Sequence, residues 1–515
     1  MTRPQILVGM ALVACIPHSV EAMPASFITH ATGLHKPHNL HRHFGGQCRS
    51  DAVCKPIRSP SSLKLQSSGA AGGDAQRNIR QEPLSSSRFQ SLMQRGIQIS
   101  LGAALIFAFE RSIFLLGRYL GQRIPSAPVG MLLVFLILLS IHAFNPDASH
   151  RLTQWFEPSL LFYNKGVPLF FSPPLVQLPL SLGAIPFLSS AKLLLVILSG
   201  TVVSMILTGL ATNFLVSNSP HEERPKVVLD PDDKETLIQP LEKVAPKTSP
   251  VLKAAMVMTV VSAIIQSDFL FLISFSIAAL QFGKTFSPEI RTFLPAIITC
   301  SALTSSMVCA LGWLRLDGNW VAALQAYKTS SGGILGGTGV GDVTFALAAP
   351  AIVALGFRLY EQRYLLKRNI IPMLGGSAIT AVLSVAFTAL ASKLIRLPSE
   401  LGLSLVTRFV TLPMAVPIVE SVGANLGIAA LAVCLQGILG ATFGTKLLDL
   451  VGVRDTIARG VAMGGTSHAL GTASVASSEP KISPPSAVTF LLSGSFMVAF
   501  MQVTFIRNFV VALFA

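Results

Sequence analysis

The feature that most constrains this chain is a series of long apolar runs that begins near Ile97 and continues almost to the last residue. A transmembrane helix needs about 20 predominantly apolar residues to cross the roughly 30 Å hydrocarbon core of a bilayer. Charge is scarce, because only 12% of the 515 residues are charged, against about 25% in soluble domains. The pattern predicts a polytopic membrane protein and excludes a cytosolic enzyme, a secreted disulfide scaffold and a disordered chain.

The fold class that these runs predict is all-α: a polytopic transmembrane helical bundle of about 11–13 membrane elements, some of them broken by Pro or Gly. Prolines interrupt the apolar run Leu160–Leu182. Irregular backbone at membrane depth is tolerated only where protein buries it, so this run is predicted to be a broken or re-entrant element. The other predicted spans are Ile97–Leu116, Val129–Phe144, Ala191–Val216, Ala254–Gln281 (one long helix or a bent pair), Phe293–Trp313, Val343–Phe357, Ile370–Ile395, Leu403–Val419, Leu426–Leu448, Arg459–Ala476 and Ala487–Val510.

Composition divides the chain into five segments. Residues 1–26 contain an apolar run of 12 residues, which is too short to span a bilayer and fits a secretory signal peptide. Residues 27–95 are rich in Ser, Arg and His and poor in acid, which is typical of a disordered transit peptide. Residues 217–250, with 7 acids, 5 bases and 6 prolines, are predicted to be a polar linker. The linker separates a front membrane module, residues 96–216, from a rear module, residues 251–515.

The formal net charge of +15 does not point to nucleic acid. Residues 1–95 hold 11 Lys and Arg against 4 Asp and Glu. Later basic residues stand singly at the ends of apolar runs, as positive-inside topology expects, and no basic stripe is interleaved with aromatic residues. The six cysteines form no CxxC pair, and six of the ten histidines lie in residues 1–43. No metal site and no cofactor is therefore predicted.

Three patterns that resemble enzyme motifs lack essential parts. The Gly-rich stretch Gly336–Asp342 lacks both the Lys-Ser/Thr of a phosphate loop and the third glycine of a dinucleotide-binding motif. Ser467 and His468 are adjacent, so on an unbroken helix their side chains point about 100° apart and make a poor nucleophile–base pair. Asp268 has no second aspartate in a spaced motif. The chain is therefore predicted not to be an enzyme.

The least lipid-like apolar segment is Gly460–Ala476, with the sequence GVAMGGTSHALGTASVA. A break at Gly464 and Gly465 is expected to expose backbone N–H groups at the start of the second half-helix, where an anion can bind. His468 is ionisable and inside the membrane, which makes it a functional candidate. The alternatives are a His satisfied by a neighbouring helix, or small residues that serve helix packing. The substrate-binding residues predicted here are Gly464, Gly465, Thr466, Ser467, His468, Gly471 and Thr472.

A second irregular element, Thr407–Val419, contains prolines that each remove a helical N–H and unwind the chain locally. Arg408 stands at its start and can hold a carboxylate through two parallel hydrogen bonds. The alternative is that Arg408 is a topology anchor whose side chain extends toward the membrane surface. Thr411 supplies a hydroxyl at the break. The substrate-binding residues predicted in this element are Arg408, Thr411 and Pro413.

These two elements lie within a region that resembles a known family. The run Arg454–Ala473, RDTIARGVAMGGTSHALGTA, resembles the signature of the LrgB/CidB membrane family. The runs LAAPAIVAL, LYEQRYLLKRN, VTLPMA and GILGATFG precede it in the order that the family shows. The front module resembles the partner LrgA/CidA, most clearly in Leu120–Leu139. The fusion of both modules behind a transit peptide is similar to the plastidal glycolate/glycerate translocator family of plants.

The resemblance implies a secondary carrier that exchanges or co-transports small 2-hydroxy monocarboxylates, glycolate and D-glycerate, in photorespiration. It implies the chloroplast inner envelope as the location, and the signal peptide followed by a transit peptide indicates a complex plastid reached through a bipartite presequence. Bacterial relatives of the LrgAB/CidAB type imply the alternative of a holin-like pore or a regulatory membrane protein. The expected partners are small organic anions and membrane lipids, without nucleic acid and with a homo-oligomer left open.

Overall fold

The computed structural model describes residues 86–121, 125–183, 185–218, 250–328 and 339–514, and within them all regular structure is helical. The first six helices are α1 Ser86–Tyr119, α2 Ser126–Phe144, α3 Pro146–Phe170, α4 Pro173–Val176, α5 Leu178–Leu182 and α6 Phe187–Ser217. The helices that follow the linker are α7 Pro250–Ile264, α8 Asp268–Lys284, α9 Pro288–Phe293, α10 Ala296–Arg315, α11 Trp320–Tyr327, α12 Val340–Ala346, α13 Ala348–Glu361, α14 Arg363–Arg368, α15 Ile370–Leu394, α16 Ser399–Leu405, α17 Leu412–Val422, α18 Leu426–Leu450, α19 Thr456–Ser478, α20 Ser483–Gln502 and α21 Thr504–Phe514. A short 3₁₀ helix, Pro480–Ile482, joins α19 to α20.

The N-terminal presequence and most of the linker lie outside the described residues. The predicted signal peptide falls there entirely, and so do residues 27–85 of the predicted transit peptide and residues 219–249 of the predicted linker. Helix α1 begins at Ser86, within the segment predicted to be a disordered transit peptide. The stretch SSRFQSLMQRG that precedes Ile97 contains no proline, so nothing local stops the helix of the first apolar run from extending backward.

The predicted all-α membrane bundle is confirmed. Eight helical segments among the described residues are long and apolar enough to cross a membrane. The predicted total of elements is higher because it includes broken and short ones, such as the shorter apolar helices α7, α17 and α21. The eight segments are Met93–Tyr119, Ser126–Phe144, Phe187–Ser217, Ala296–Arg315, Val340–Glu361, Ile370–Leu394, Leu426–Leu450 and Pro480–Gln502.

Breaks in the backbone divide several of the predicted spans. Ala254–Gln281 is the bent pair α7–α8, because Gln266 between the two helices has a φ of 57°, which a right-handed helix does not allow. The prediction of a single span over Leu403–Val419 is wrong, since the chain is not helical between α16 and α17. The prediction of a single span over Ala487–Val510 is also wrong, since the extended backbone of Val503 separates α20 from α21.

The proline-rich run Leu160–Leu182 is broken, as predicted. Helix α3 ends at Phe170, and the two short helices α4 and α5 follow it. All four residues of α4 are buried, and Gln177, which follows α4, donates from Nε2 to the carbonyl oxygen of Leu324 at 3.0 Å. Ser181 on α5 donates to Asn425 Oδ1 at 3.1 Å. The backbone at α4 is therefore enclosed by protein, as a membrane requires, whereas no residue of α5 is fully buried.

The charges inside the first predicted span are satisfied by protein. Glu110 on α1 is only 2% exposed. Its Oε1 accepts a hydrogen bond from Ser126 Oγ on α2 at 2.5 Å, and its Oε2 lies 3.7 Å from Nε of the adjacent Arg111. The condition for this run to span, that the two charged residues pair or face protein, is met. The run is part of the candidate membrane span Met93–Tyr119.

Helix α6 packs into the second half of the chain, although it precedes the linker. It lies against α15, α18 and α19, and a Cβ added to Gly209 would lie 2.6 Å from Leu448 Cδ2 on α18. The main contact of the preceding helices with the second half is between α2 and α13. The predicted division into two modules rests on composition and remains a prediction. The packing nevertheless places α6 beside the helices that carry the candidate site.

Candidate functional site

Arg408 lies in the non-helical turn between α16 and α17, in the interior of the second half. Its relative exposure is 0%, and it is the largest fully buried side chain among the described residues. The guanidinium rests on the backbone of α6, because a Cβ at Gly200 would lie only 2.7 Å from Arg408 Cζ. Only a residue without a side chain can occupy that position of α6. Arg408 is therefore enclosed by the bundle and does not extend toward the membrane surface.

The guanidinium of Arg408 donates four hydrogen bonds, all to uncharged acceptors. Nε donates to Thr388 Oγ1 at 3.1 Å, and Nη1 donates to Gln436 Oε1 at 2.5 Å. Nη2 donates to Ser204 Oγ at 3.2 Å and to the carbonyl oxygen of Ser384 at 3.4 Å. None of the ion pairs formed by the described residues involves Arg408. The positive charge is thus hydrogen-bonded without being neutralised.

This arrangement leaves Arg408 with the capacity to bind an anion. A guanidinium carries five N–H donors in a planar fork, so one N–H of Nη1 remains beyond the four bonds of the structure. A buried cation without a counter-ion is costly, and hydrogen bonds to neutral groups offset only part of that cost. A carboxylate that replaced Gln436 at Nη1 would receive parallel charge-assisted hydrogen bonds and neutralise the charge.

Gln436 connects the two elements that the sequence singles out. It lies on α18 with a relative exposure of 0%. Its Oε1 accepts from Arg408, and its Nε2 donates to the carbonyl oxygen of Thr466 on α19 at 2.7 Å. An amide side chain offers an acceptor and a donor at two separate atoms. One side chain therefore links the Arg408 turn to the break in α19.

The break in α19 is at His468, and the prediction that it falls at Gly464 and Gly465 is wrong. His468 has φ 43° and ψ −141°, a conformation that an α-helix does not contain. Both glycines lie inside the helix, where they allow close packing. A Cβ at Gly464 would lie 2.1 Å from the carbonyl oxygen of Ser486, and one at Gly465 would lie 3.0 Å from Thr380 Oγ1. Tertiary packing, rather than low helix propensity, therefore determines where the break lies.

His468 is held by the neighbouring helix α18. Its Nε2 lies 2.9 Å from the carbonyl oxygen of Val433, which can only accept, so this nitrogen carries a proton. The ring occupies the space that a side chain at Gly437 would need, since a Cβ there would lie 2.5 Å from His468 Cε1. This contact ties the break to α18 and occupies one of the two ring nitrogens of His468. For Nε2, the structure therefore agrees with the alternative in which a neighbouring helix satisfies the histidine.

The hydroxyl groups around the break are bonded within the protein. Thr466 Oγ1 donates to the carbonyl oxygen of Ala462 at 2.7 Å and lies 3.4 Å from Ser467 Oγ. Thr472 Oγ1 lies 3.0 Å from the carbonyl oxygen of His468 and 2.8 Å from Ser486 Oγ. These bonds bring the predicted residues of α19 together around one break.

The glycines near the break let its two halves and α18 approach closely. A Cβ at Gly471 would lie 2.5 Å from Ser467 Cβ, across the break. A Cβ at Gly440 on α18 would lie 1.6 Å from Ser467 Oγ. Ser467 is therefore enclosed by two glycines, and any side chain at either position would displace it.

Neither Thr411 nor Pro413 is among the residues that are hydrogen-bonded to Arg408. Thr411 precedes the first turn of α17, and its side chain does not cap that helix. Pro413 lines a cleft of about 200 Å³ between the front helices and α13 and α17, together with Ser126, Phe345 and Glu420. None of the residues bonded to Arg408 lines this cleft. The structure thus separates Pro413 from the other predicted substrate-binding residues.

Lys328 places a positive charge near the same cleft. Its Nζ lies 4.8 Å from the centroid of the Phe345 ring. Burial lowers the pKa of Lys328 below its ordinary value, while the negative charges of Asp342 and Glu420 act in the opposite direction. The cleft is thus lined by the acid Glu420 and has Lys328 near its wall, whereas the Arg408 cluster contains a cation alone.

Sequence analysis missed the residues that surround Arg408. They are Ser204 on α6, Thr388 and Ser384 on α15, and Gln436 on α18. Gln436 could have been found as the single amide in the apolar run Leu426–Leu448. The hydroxyl residues carry a weaker signal, which is their four-residue spacing along one helix face. Within the described residues, no group of three His, Cys, Asp or Glu is placed to hold a metal ion.

The fold and this site define a polytopic helical membrane protein with a buried, unneutralised arginine. Residues 276–506 match the LrgB-like family, so the second half of the chain contains an LrgB-like domain. The predicted resemblance to LrgB/CidB proteins is thereby confirmed. The residues matched exclude α6, which supplies Ser204 and Gly200 to the site.

The chain is similar to named proteins of a plant and a bacterium. It is 28% identical over 404 residues to "Plastidal glycolate/glycerate translocator 1, chloroplastic" of Arabidopsis thaliana, with 76% of each chain covered. It is 29% identical over 153 residues to "Uncharacterized protein YxaC" of Bacillus subtilis (strain 168), which covers 30% of this chain and 65% of that protein. No solved structure matches the chain. These similarities support a membrane transporter.

Proposed function

We propose that the chain is a secondary carrier, and not an enzyme, for small 2-hydroxy monocarboxylates such as glycolate and D-glycerate. The observation that carries the proposal is Arg408, which is fully buried and bonded only to neutral acceptors. Both substrates are anions near neutral pH, because an α-carboxyl group titrates well below 7. The name of the plant relative supports this class of substrate.

In this proposal the substrate carboxylate binds Arg408 in place of Gln436. Two parallel N–H donors match the two carboxylate oxygens, which a point-charge ammonium cannot do. Ser204 and Thr388 already contact the guanidinium, so their hydroxyls are near enough to bond the 2-hydroxyl of the substrate. A buried anion–cation pair of this kind is favourable only when hydrogen bonds also satisfy its remaining atoms. The proposed substrate-binding residues on α19 act on the site indirectly, because Gln436 links the carbonyl oxygen of Thr466 to Arg408.

The test of the carrier is uptake of labelled glycolate into liposomes that contain the purified chain. A carrier shows saturable uptake that unlabelled glycerate inside the vesicles stimulates, and this is the expected result. Arg408→Lys is expected to lower uptake at least about tenfold, because Lys cannot make the two-pronged contact. A leak of unrelated solutes without saturation would favour the holin-like pore. Normal uptake by Arg408→Ala would exclude Arg408 as the binding residue.

We also propose that the carrier resides in the inner envelope of a plastid. The plant relative is named chloroplastic, and the eight candidate spans agree with a multi-pass envelope protein. The predicted signal peptide and transit peptide in residues 1–95 extend the proposal to a complex plastid. A fluorescent protein fused behind residues 1–95 is expected to enter the plastid. Retention in the endoplasmic reticulum or secretion would contradict the proposal.

A further inference from the structure

Two helices beside Arg408 carry a continuous line of hydroxyl groups. Thr380 Oγ1 lies 3.3 Å from Thr208 Oγ1, and Ser384 Oγ lies 3.3 Å from Ser204 Oγ. Later residues of α6 face earlier residues of α15, so the two helices are antiparallel. The line, called here the hydroxyl ladder, has a rung at every fourth residue of each helix. Its members are Ser204, Thr208 and Thr212 on α6 and Thr380, Ser384 and Thr388 on α15.

The ladder is buried, and its far end contains an unsatisfied hydroxyl. All six members have relative exposures of 0% or 1%. Thr212 Oγ1 has no hydrogen-bond partner although it is buried. It points at Gly376 on α15, where an added Cβ would lie 2.6 Å from that oxygen. Burying a hydroxyl without a hydrogen-bond partner costs free energy. We therefore expect a ligand or a water molecule to form a hydrogen bond with Thr212 Oγ1.

The ladder leads from Arg408 toward a basic end of the bundle. Arg408 contacts the rung formed by Ser204 and Ser384. From Ser204 to Thr212 the helix rises about 12 Å, at 1.5 Å per residue. The Thr212 end lies where α15 begins, directly after the basic helix α14, whose Lys367 and Arg368 are exposed. Clustered positive charge raises the local concentration of anions.

We propose that the hydroxyl ladder is the path along which the substrate anion travels between the basic end of the bundle and Arg408. This inference rests on the proposed carrier function. Hydroxyls both donate and accept, so they can replace water around a carboxylate without binding it as tightly as a cation would. In this proposal α6 takes part in transport, because it supplies half of the ladder, although it lies outside the residues that match the LrgB-like family.

The path is closed in this conformation. A Cβ at Gly376 would lie 2.6 Å from Val461 Cγ1 on α19, and one at Gly375 would lie 3.0 Å from Leu215 Cδ1. Val461 and Leu215 therefore pack closely against α15 near the Thr212 end, where the ladder hydroxyls are already buried. The alternative explanation is that the hydroxyls only join the two helices, since Ser and Thr often hydrogen-bond across helices within membranes.

The test introduces single cysteines into a chain whose six cysteines are replaced by alanine. Thr208→Cys and Thr212→Cys place thiols on the ladder, and Leu210→Cys, on the exposed face of α6 at the same depth, is the control. With the protein in liposomes, a charged, water-soluble methanethiosulfonate is expected to modify the ladder thiols at least about tenfold faster than the control thiol. Saturating glycolate is expected to slow the modification of the ladder thiols alone. Ladder thiols as unreactive as the control would overturn the path.

A second pair of variants separates a path from a helix-joining role. Thr380→Val and Thr208→Val keep the shape of the side chain and remove the hydroxyl, and uptake is expected to fall at least about tenfold. Unchanged uptake with a lowered thermal stability would show helix joining and overturn the path. The thiol assay does not depend on transport, so reactive ladder thiols in a chain that takes up no glycolate would contradict the proposed substrate and leave the path standing.

Discussion

At the scale of single residues, the described part of the chain contains two buried arginines in opposite electrostatic settings. Arg459 is 6% exposed and lies 2.8 Å from Asp449 Oδ1 and 2.6 Å from Glu479 Oε1. Arg408 is more deeply buried and has only neutral acceptors. A buried charge that serves structure alone is expected to be paired, because an isolated one is destabilising. Arg408 therefore differs from Arg459 in having no carboxylate partner, which is the arrangement that the proposed binding of an anion requires.

Gln436→Glu tests this interpretation with almost no change of shape. The new carboxylate would replace Oε1, which already lies 2.5 Å from Arg408 Nη1, and would supply the missing counter-ion from within the protein. We expect glycolate uptake to fall at least about tenfold, because a permanent carboxylate competes with the substrate for the same donors. Initial uptake rates in liposomes, corrected for inserted protein, measure the effect.

The matched control for this substitution is Gln177→Glu. Gln177 Nε2 also donates to a backbone carbonyl oxygen, that of Leu324 at 3.0 Å, but it is not bonded to Arg408. Both variants lose one such bond, which costs about 1–3 kcal/mol when the carbonyl is left unsatisfied. Only Gln436→Glu should lose uptake beyond the amount that its thermal stability explains. Wild-type uptake by Gln436→Glu would show that the substrate does not use the Gln436 side of Arg408.

His468 offers a second test, because its ring holds the break in α19. We expect His468→Ala to lose most uptake, since the contact that ties the break to α18, between His468 Nε2 and the Val433 carbonyl oxygen at 2.9 Å, would be lost. We expect His468→Gln to retain part of it, because the Gln amide can reach the same acceptor with an N–H donor. Parallel uptake and thermal-unfolding measurements are needed for both variants. Equal and normal uptake in both would leave His468 without a role in transport.

At the scale of elements, the sequence supports the prediction of a break in α19 but not of its position. Glycine is the weakest ordinary helix former, so local propensity favours Gly464 and Gly465. The structure uses their small size to bring Ser486 and Thr380 close, and it places the strained φ of 43° at His468. Such a conformation costs about 1–3 kcal/mol and persists only when surrounding contacts impose it. Those contacts come from α18, which a local pattern cannot reveal.

The same limit applies to the surroundings of Arg408. A single arginine between apolar runs is visible in the sequence, and its burial was one of two open interpretations. Its partners lie on α6, α15 and α18, far away in the chain. Which distant hydroxyls converge on Arg408 depends on helix packing, and no spacing rule connects Ser204 with residue 408. The sequence therefore singles out the central residue, whereas it does not identify the residues that surround it.

Gly440→Ala tests how closely α18 must approach the break. The new Cβ would lie 1.6 Å from Ser467 Oγ and 2.4 Å from Ser467 Cβ, so Ser467 or the whole of α18 has to move. We expect a loss of stability of about 1–3 kcal/mol, which is typical of overpacking, together with reduced uptake. Thermal unfolding and uptake of the purified variant are the measurements.

Gly444→Ala, one turn further along α18, is the control for Gly440→Ala. Its Cβ would meet Met463 Sδ at 2.6 Å and Met205 Cε at 2.8 Å. Those atoms are near the flexible ends of methionine side chains, which adapt to extra volume more readily than Ser467 Cβ can. We expect the control to be tolerated better in both measurements. Equal effects of the two substitutions would show that the helix contact, rather than the position of Ser467, is what matters.

At the scale of the whole molecule, the front and second halves meet in two different ways. Helix α6 is inserted among α15, α18 and α19 and supplies part of the Arg408 site. The preceding helices join through α2 and α13, beside the cleft that contains Pro413 and Glu420. The sequence predicted the number and character of the apolar segments well, because hydropathy alone decides what can enter a membrane. It placed the boundary by composition, which does not record which helices pack together.

The close contact of α2 with α13 depends on Gly356. The substitution Gly356→Ala tests how much this contact contributes to the stability of the folded protein. A Cβ at Gly356 would lie 2.4 Å from the backbone carbonyl oxygen of Met131 and 3.0 Å from Val134 Cβ. A backbone atom cannot move without shifting α2, so the clash should outweigh the gain of about 0.5–1 kcal/mol that Ala brings to a helix. We expect a net loss of stability of about 1–3 kcal/mol, seen as a lower thermal-unfolding midpoint in detergent.

Gly96→Ala is the matched control, because Gly96 is also helical and a Cβ there has nothing within 4 Å. It should leave the midpoint unchanged or raise it, since only the gain in helix propensity acts. Gly356 is not among the residues bonded to Arg408. Glycolate uptake per folded molecule should therefore be retained in Gly356→Ala even as its stability falls. A Gly356→Ala protein with the midpoint of the control would mean that the contact of α2 with α13 accommodates the added methyl group and does not depend on Gly356.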